Sequence, residues 1–254
     1  RASGAGRIGV VNREFAFSIL SRTKIVSGIV LALIVAAGSC IALFVRQEMK
    51  IDGLLRAEKF LEAAVCVQTA ALPVVLGPHR DGGAADLYLL AYLSERAGDK
   101  KLAAESLLRA DAELPTSAVV KATENLESAA SMLQYRLHLG YLSEACLRAG
   151  VQLARRRQEA GPTGRRLLAK SLLALGRDYR LNGKFNLAAR AQAEAISVCE
   201  QALGEREAAR EVDREMEALL KDCLSAQLEL FRRFGQLDDC KPLLQRLERL
   251  ESAK

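Results

Sequence analysis

The feature that most constrains the fold of this chain is a set of glycines that separate helical patterns at a nearly constant spacing. Gly98, Gly140, Gly183 and Gly235 each lie between two stretches whose apolar residues recur every three or four positions, as in an amphipathic helix. From 98 to 140, 140 to 183 and 183 to 235 the spacing is 42, 43 and 52 residues. A glycine between two helices permits the left-handed backbone that reverses the chain. The spacing therefore predicts a series of helical hairpins.

A second set of glycines marks the ends of the hairpins with the same period. Gly161 lies 84 residues after Gly77, about two periods, and 43 residues before Gly204. Two independent markers with one period indicate internal repeats. A single hairpin cannot bury its apolar face alone, so the hairpins are expected to stack.

The most complete repeat lies between Ala169 and Ala202. Small residues at fixed positions let its two helices approach, and larger residues fill the space that remains. These positions are held by Leu175, Gly176, Tyr179, Ala188 and Ala195. An earlier unit, Ala84–Ser117, has the corresponding residues Leu90, Ala91, Ala103, Leu107 and Ala110, and a closing Pro115.

In these two units the chain resembles the tetratricopeptide repeat (TPR) family. The period of about 42 residues, with Leu-Gly closing the second helix, is similar to the kinesin-light-chain variety of the repeat. The resemblance covers about residues 54–254, and the chain departs from the pattern at Leu87, Leu172, Gln192 and Glu200. It implies an all-α fold with a right-handed superhelical array of helix–turn–helix repeats. The first helices of the two units, 84–97 and 169–181, would line a concave groove.

Ahead of the repeats, residues 25–45 form an uninterrupted apolar stretch, IVSGIVLALIVAAGSCIALFV, bracketed by Lys24 and Arg46. Its length corresponds to roughly 31 Å of α-helix, the thickness of a bilayer core. No polar stripe of the kind a buried core helix carries runs through it. The sequence therefore predicts one N-terminal transmembrane helix. Basic residues flank both sides, so the rule that counts Lys and Arg leaves the orientation of the span open.

Small residues recur every four positions on one face of this predicted span, at Gly28, Ala32 and Ala36. Such a stripe lets a second transmembrane helix approach closely, although Gly and Ala are common in spans anyway. Residues 1–24 are basic and rich in Ser, Ala and Gly, and the chain begins at Arg1 rather than Met. This composition is typical of the region around an organellar transit peptide and equally of the flank of a bacterial membrane anchor.

The sequence thus divides into a basic segment (1–24), a transmembrane helix (25–45), a linker with a first amphipathic helix (46–83) and the repeat domain (84–254). Within the third part, Asp52-Gly53 predicts a break and Leu54–Leu72 a single amphipathic helix. At the C-terminal end, Leu203-Gly204 predicts the end of one helix, and Glu205–Phe234 is predicted as one long helix of a terminal cap.

The cysteines indicate neither a metal site nor a disulfide framework. Cys40, Cys66, Cys146, Cys199, Cys223 and Cys240 show no C-x-x-C and no close spacing. Buried free thiols are therefore expected, and no metal site. Because both lie in the last predicted hairpin, Cys223 and Cys240 form the one pair to test for a disulfide in an oxidising compartment.

Nothing in the sequence predicts catalysis. The two histidines, His79 and His138, have no triad-like partners, and no nucleophile elbow, P-loop, G-x-G-x-x-G or H-E-x-x-H is present. We therefore expect a non-enzyme without cofactor or small-molecule substrate. The net charge of +6 comes without interleaved aromatic and basic residues, which argues against nucleic acid as a partner.

The best candidate for a binding surface is electrostatic. Lys170, Arg177 and Arg180 share one face of the helix that begins the most complete repeat, and the TPR resemblance places that face in the groove. Guanidinium groups there could clamp carboxylates of a partner, or they could be solvated and answered by Glu residues of neighbouring helices. Tyr88 and Tyr92, four residues apart on the earlier helix, would give the groove apolar character or belong to the core.

Two functions follow from these expectations. The first is a membrane-anchored scaffold, an accessory or assembly subunit of an inner-membrane protein complex, contacting other subunits through the repeats and the span. A mitochondrial (organellar) inner membrane is expected ahead of a bacterial one. The second is an adaptor or receptor whose basic groove captures acidic peptide segments of soluble partners.

Overall fold

The computed structural model describes residues 42, 45–69, 82–113, 116–157, 161–208 and 213–252, and within these ranges the chain is all-helical. Residues 45–56 are helical and are named α1 here. The helices that follow are α2 (Phe60–Thr69), α3 (Gly82–Arg96), α4 (Lys100–Glu113), α5 (Thr116–Met132), a π-helical turn (Leu133–Leu137), α6 (Gly140–Arg157), α7 (Pro162–Leu181), α8 (Phe185–Ala208), α9 (Arg214–Arg233) and α10 (Leu237–Ser252). The all-α prediction is confirmed for this part of the chain.

Residues from Glu48 onward form one compact unit, and residues 1–47 form a separate one. Of the first unit the structure describes only residues 42 and 45–47, so the stripe of Gly28, Ala32 and Ala36 and nearly all of the predicted span 25–45 lie outside the described residues. Where the chain is described, no helix combines the length and the apolar character needed to cross a bilayer.

Every hairpin of the described chain turns on one residue with a left-handed backbone. These residues are Glu58, Gly98, His138, Gly183 and Gly235, with φ of 59°, 84°, 56°, 72° and 70°. At Gly98, Gly183 and Gly235 the turn has the same two bonds: the left-handed N–H reaches the carbonyl three residues back, and the next N–H reaches the carbonyl five residues back. This double bond pattern satisfies carbonyls that a helix end leaves open. The predicted glycine turns at 98, 183 and 235 are confirmed.

Small side chains follow each turn at a fixed distance. Five residues after the left-handed residue stand Ala63, Ala103, Ser143, Ala188 and Cys240, all buried. Twelve residues after it, Ala110 and Ala195 are wholly buried and Gly150 is buried as well. A small residue at these positions lets the second helix of a hairpin lie close against the first, so the turn and the packing repeat together.

At the start of the array the structure differs from the prediction. Residues 45–56 are helical through Asp52-Gly53, and the chain turns instead at 57–59, inside the stretch predicted as one helix from Leu54 to Leu72. Glu58 takes the left-handed conformation that usually requires glycine, with the same two turn bonds as Gly98. Because no glycine marks this turn, the first hairpin is invisible to a search by glycine spacing. It extends the regular series, since Glu58 and Gly98, like Gly98 and His138, are 40 residues apart.

The third hairpin turns at His138 rather than at the predicted Gly140. The last turn of its first helix is a π-helix, Leu133–Leu137, and the backbone N–H groups of both His138 and Leu139 reach the carbonyl of Leu133. Gly140 is instead the first residue of α6, and a Cβ there would lie 2.7 Å from Oδ1 of Asn182. The glycine at 140 is therefore explained by a close approach to the next hairpin and not by a turn.

Two boundaries near the C-terminal end were predicted wrongly. Helix α8 continues through Gly204 to Ala208, so the Leu-Gly pair does not end it. The predicted long helix 205–234 is divided between α8 and α9, which begins at Arg214. Asp213 caps α9 by accepting a hydrogen bond from the Met216 backbone N–H at 3.0 Å. An aspartate is a favoured N-cap residue, but the prediction rested on apolar periodicity and did not include it.

The helices pack as neighbours in chain order. From α5 to α10 each helix contacts the next, and the first helices of the hairpins also contact one another, α3 with α5, α5 with α7 and α7 with α9. An additional contact joins α3 to α6. The core is a row of leucines, of which Leu126, Leu142, Leu153, Leu168 and Leu172 are among the largest fully buried side chains.

Candidate functional site

The basic face predicted on α7 lies between α5 and α9. Lys170 and Arg177 are exposed, whereas Arg180 forms a salt bridge with Glu229 of α9 at 2.5 Å. Lys170 lies near Glu127 of α5, whose pKa is raised by burial although Lys170 opposes the rise. Carboxylates of neighbouring helices thus partly neutralise two of the three predicted cations, Lys170 and Arg180.

Arg177 borders a cleft of about 160 Å³ between α5 and α7. Two exposed hydrophobic side chains, Tyr135 of the π-helix and Leu181, line the same cleft. Glu127, which also lines the cleft, accepts a hydrogen bond from the Ser171 hydroxyl at 2.8 Å. The cleft offers one free guanidinium and a small apolar rim.

The predicted tyrosines are separated by the fold. Tyr88 is 2% exposed, and its hydroxyl donates to Asp111 of α4 at 2.7 Å, so the side chain belongs to the core of its own hairpin. Tyr92 is also buried, at 7% exposure, but it lines a surface groove on the side of α6. Neither tyrosine borders the cleft at Arg177.

A second surface, which the sequence did not predict, follows the length of α6. It contains two adjoining cavities of about 340 and 270 Å³ that share Tyr92 and Arg148. Residues of α6 line both at helical steps: Tyr141, Glu144, Ala145, Arg148, Val151, Gln152 and Arg155. Fourteen residues of helix correspond to roughly 21 Å, so the two cavities form one surface here called the α6 groove.

The walls of the α6 groove come from distant parts of the chain. Arg96 stands on the α3 side, and Lys184 and Arg190 stand on the α8 side. Gln152 bridges to the first wall by donating to Glu95 at 2.7 Å, and Arg155 bridges to the second by donating from its Nη2 to both carboxylate oxygens of Glu194, at 2.7 and 2.9 Å. The groove is lined by six cations, Arg56, Arg96, Arg148, Arg155, Lys184 and Arg190, against three anions, Glu58, Glu144 and Glu194.

Aromatic rings lie against four of these six cations, among them Arg96, which is 5.1 Å from the Phe60 ring centroid. The Arg148 guanidinium lies 5.6 Å from the Tyr179 ring centroid and 2.8 Å from Glu144, which also accepts from Lys184. Arg56 and Lys184 lie 5.4 and 5.1 Å from the Tyr141 ring. Burial raises the pKa of Tyr179 to about 12, so its hydroxyl stays protonated at neutral pH. Cations over aromatic faces keep their charge while losing freedom, which preorganises the groove for an anion.

Three carboxyl groups elsewhere in the core are shifted toward the neutral form. Burial raises the pKa of Glu48 and of Asp86 to about 7, and that of Asp178 to about 6. Asp178 accepts hydrogen bonds from the Ser143 hydroxyl at 2.7 Å and from the Asn182 amide at 2.9 Å. The Gln134 amide in turn donates to Asn182 at 3.2 Å, so this network ties the α5–α6 turn to the α7–α8 turn. Because the network joins two turns, its role is to stabilise the fold.

The described part of the chain holds no cluster of three or more His, Cys, Asp or Glu that could bind a metal ion. Cys223 does not pair with Cys240: its thiol shares a hydrogen bond with Cys199 of α8, and the Cys240 thiol donates to the Gln236 carbonyl at 3.3 Å. These three thiols are free. His138 is exposed at its turn, and His79 lies outside the described residues.

The α6 groove could not be predicted from local patterns because its residues come from α1, the turn after it, α2, α3, α6, α7 and α8. One signal was present in the sequence: the cations and aromatics of α6 recur at positions 141, 148 and 155, seven residues apart on one helix face. A comparison with protein-family models, with curated proteins and with solved structures finds no match for this chain. The function is therefore argued from the residues alone.

Proposed function

We propose that this chain is a membrane-anchored scaffold of TPR-like helical repeats that binds other proteins, as an accessory or assembly subunit of an inner-membrane complex. The observation that carries the proposal is the repeated hairpin, with one left-handed residue and a small buried residue five positions later, five times over in the described chain. Stacked hairpins of this kind present extended surfaces, and such surfaces serve recognition more often than catalysis.

The membrane part of the proposal rests on the sequence of residues 25–45. The predicted span ends at Val45, and Glu48, Ile51, Asp52 and Leu55 are already buried in the repeat unit. So short a separation along the chain would keep the repeats near the headgroups, where they could brace a membrane partner. The stripe of Gly28, Ala32 and Ala36 would add a contact within the bilayer. A mitochondrial inner membrane is proposed ahead of a bacterial one.

The test is purification of the full chain from its native membrane in a mild detergent, after cross-linking in the intact membrane. We expect a few proteins in stoichiometric amounts, with cross-links to the repeat unit. Recovery of a free monomer both with and without cross-linking would contradict the scaffold. Protease protection of the C-terminal repeats, read on sealed vesicles, determines the orientation independently.

The second candidate is an adaptor that captures acidic peptide segments of soluble partners. As predicted from sequence it would use Lys170, Arg177 and Arg180 of α7. Arg180 already pairs with Glu229, which leaves Lys170 and Arg177 for a partner. Charge reversal of Lys170 and Arg177 should then abolish peptide binding without loss of helicity, and unchanged binding would contradict this choice of surface.

A further inference from the structure

We propose that the α6 groove binds an acidic peptide segment of a partner protein that also carries apolar side chains. The inference rests on the proposed role as a protein-binding scaffold and places the docking site away from the α7 face. Its basis is the excess of six cations over three anions along one concave surface.

The charges of the groove are arranged for exchange with an incoming carboxylate. Glu144 is 8% exposed and already neutralised by Arg148 and Lys184, and Glu194 is held by Arg155. No ion-pair partner of Arg96 or Arg190 is found among the described residues, and both side chains are exposed on opposite walls. They are therefore the cations with most to gain from an anionic ligand, since a guanidinium binds a carboxylate bidentately.

The middle of the groove asks for apolar atoms as well as charge. Val151, Leu172, Leu175 and Ala191 form its floor and are buried, whereas Leu187 beside them is partly exposed. A chain of carboxylates alone would leave Leu187 in contact with water, whereas apolar side chains between the acids would cover it. The length of roughly 21 Å matches about six extended residues at ~3.3 Å each.

Concavity favours a peptide over a lipid surface. A flat bilayer reaches protruding cations, but the cations of this groove stand on two walls with Arg148 and the tyrosine rings between them. A narrow acidic segment can enter between the walls and contact both at once. Anionic lipid is therefore kept as a competing outcome of the test.

The experiment uses the full chain in nanodiscs of phosphatidylcholine. The probe is a fluorescein-labelled peptide of alternating Glu and Leu, long enough to span the groove, followed by fluorescence anisotropy. We expect saturable binding that weakens as salt is added. A Glu–Gly peptide of equal charge should bind at least tenfold more weakly, and a Lys–Leu peptide should not bind.

The double variant Arg96→Glu/Arg190→Glu should weaken binding of the Glu–Leu peptide at least tenfold. The variant Arg96→Gln/Arg190→Gln should weaken it to a smaller extent. The matched control is Arg109→Glu/Arg214→Glu, which makes the same change of net charge at two exposed arginines outside the groove and should change the affinity less than threefold. Circular dichroism establishes that each variant is folded.

Equal weakening by both charge-reversed pairs, or by neither, would overturn the docking site. So would binding of phosphatidylglycerol vesicles that depends on Arg96 and Arg190 without any peptide binding. Co-purification of partners that persists in Arg96→Glu/Arg190→Glu, together with no peptide binding by the wild type, would reject the groove and leave the scaffold standing. Peptide binding at the groove without co-purifying partners would reject only the scaffold.

Discussion

In the α7–α8 hairpin the parts that shape the turn are close together in the sequence. Gly183 supplies the left-handed residue, and its N–H and that of Lys184 satisfy the carbonyls of Arg180 and Tyr179. The α5–α6 hairpin reaches the same reversal with His138 and a π-helical turn. It also relies on a residue far away, since Asp52 of α1 accepts from the backbone N–H groups of Tyr141 and Leu142, both at 2.9 Å.

The difference shows how one architecture can be specified locally in one repeat and remotely in the next. Where a glycine supplies the left-handed residue, the hairpin is encoded by its own sequence. Where His138 supplies it instead, a carboxylate from α1 caps α6, and Gly140 makes room for Asn182 of the following hairpin. We expect the two hairpins to respond differently to substitution.

The largest effect is expected at the remote cap. Asp52 is 3% exposed, so Asp52→Ala leaves the first N–H groups of α6 without their acceptor and should cost about 2 kcal/mol in free energy of unfolding, measured by urea denaturation. Asp99 caps α4 within its own hairpin by accepting from Leu102 N–H at 3.0 Å, and Asp99→Ala should cost about 1 kcal/mol. A loss at Asp52 no larger than that at Asp99 would remove the distinction between remote and local caps.

A stabilising change is expected in the local hairpin. Gln192 of α8 is fully buried, and neither its amide oxygen nor its nitrogen has a hydrogen-bond partner in the structure. Gln192→Met keeps the length of the side chain and removes both polar atoms, so it should raise the free energy of unfolding by about 1–2 kcal/mol. Gln201→Met, on the exposed face of the same helix, is the control and should change it little. A lower Tm for Gln192→Met than for the wild type would contradict the conclusion that the buried amide of Gln192 lacks hydrogen-bond partners.

The network between the two hairpins should make stability depend on pH. Burial raises the pKa of Asp178 from 3.8 to about 6, so the folded state binds this proton more tightly than the unfolded chain. The stabilisation is complete below pH 3.8 and is lost as the pH rises through 6. Between pH 7 and 5 the wild type should therefore gain about 1 kcal/mol relative to Asp178→Asn. Urea denaturation of both proteins at several pH values measures this difference. Because Glu48 and Asp86 are present in both proteins, their contributions to the pH dependence cancel. Parallel pH profiles would be the contrary result.

The smallest effects should have opposite signs at the two turns. A Cβ at Gly183 meets nothing within 4 Å, so Gly183→Ala should cost about 1 kcal/mol purely through its φ of 72°. His138 is exposed with a φ of 56°, and His138→Gly should stabilise by about 0.5 kcal/mol. Thermal unfolding of both variants decides the point. If both variants change the stability in the same direction, the π-helical turn, and not the left-handed residue, determines the energy of the turn at His138.

This contrast also explains how far the sequence could be interpreted. The turns at Gly98, Gly183 and Gly235 were predictable because glycine is their physical requirement. The turn at Glu58 could not be predicted because a non-glycine residue occupies it. Gly140 was wrongly predicted as a turn residue, because the absence of a side chain there leaves room for Asn182. Gly204 has no left-handed backbone, and helix α8 continues through it.

The candidate sites follow the same division. The basic residues of α7 were visible as a face of one helix, but not that Arg180 would meet Glu229 of α9. The α6 groove depends on contacts between α6, α3 and α8, which no local periodicity carries. Tyr92, predicted to give the groove apolar character or to belong to the core, is buried and lines the α6 groove.

The reach of Asp52 to α6 has a consequence for how the chain folds. Its bond to Tyr141 closes a loop of 89 residues, whereas the turn bonds of the α7–α8 hairpin close loops of a few. Closing a longer loop costs more chain entropy and waits for more of the protein to be synthesised. During translation, α1 must remain without its partner until α6 has left the ribosome, while each later hairpin can form as it emerges. Helix α1, although made before α2 to α6, then reaches its contact with α6 only after all of these helices have been synthesised.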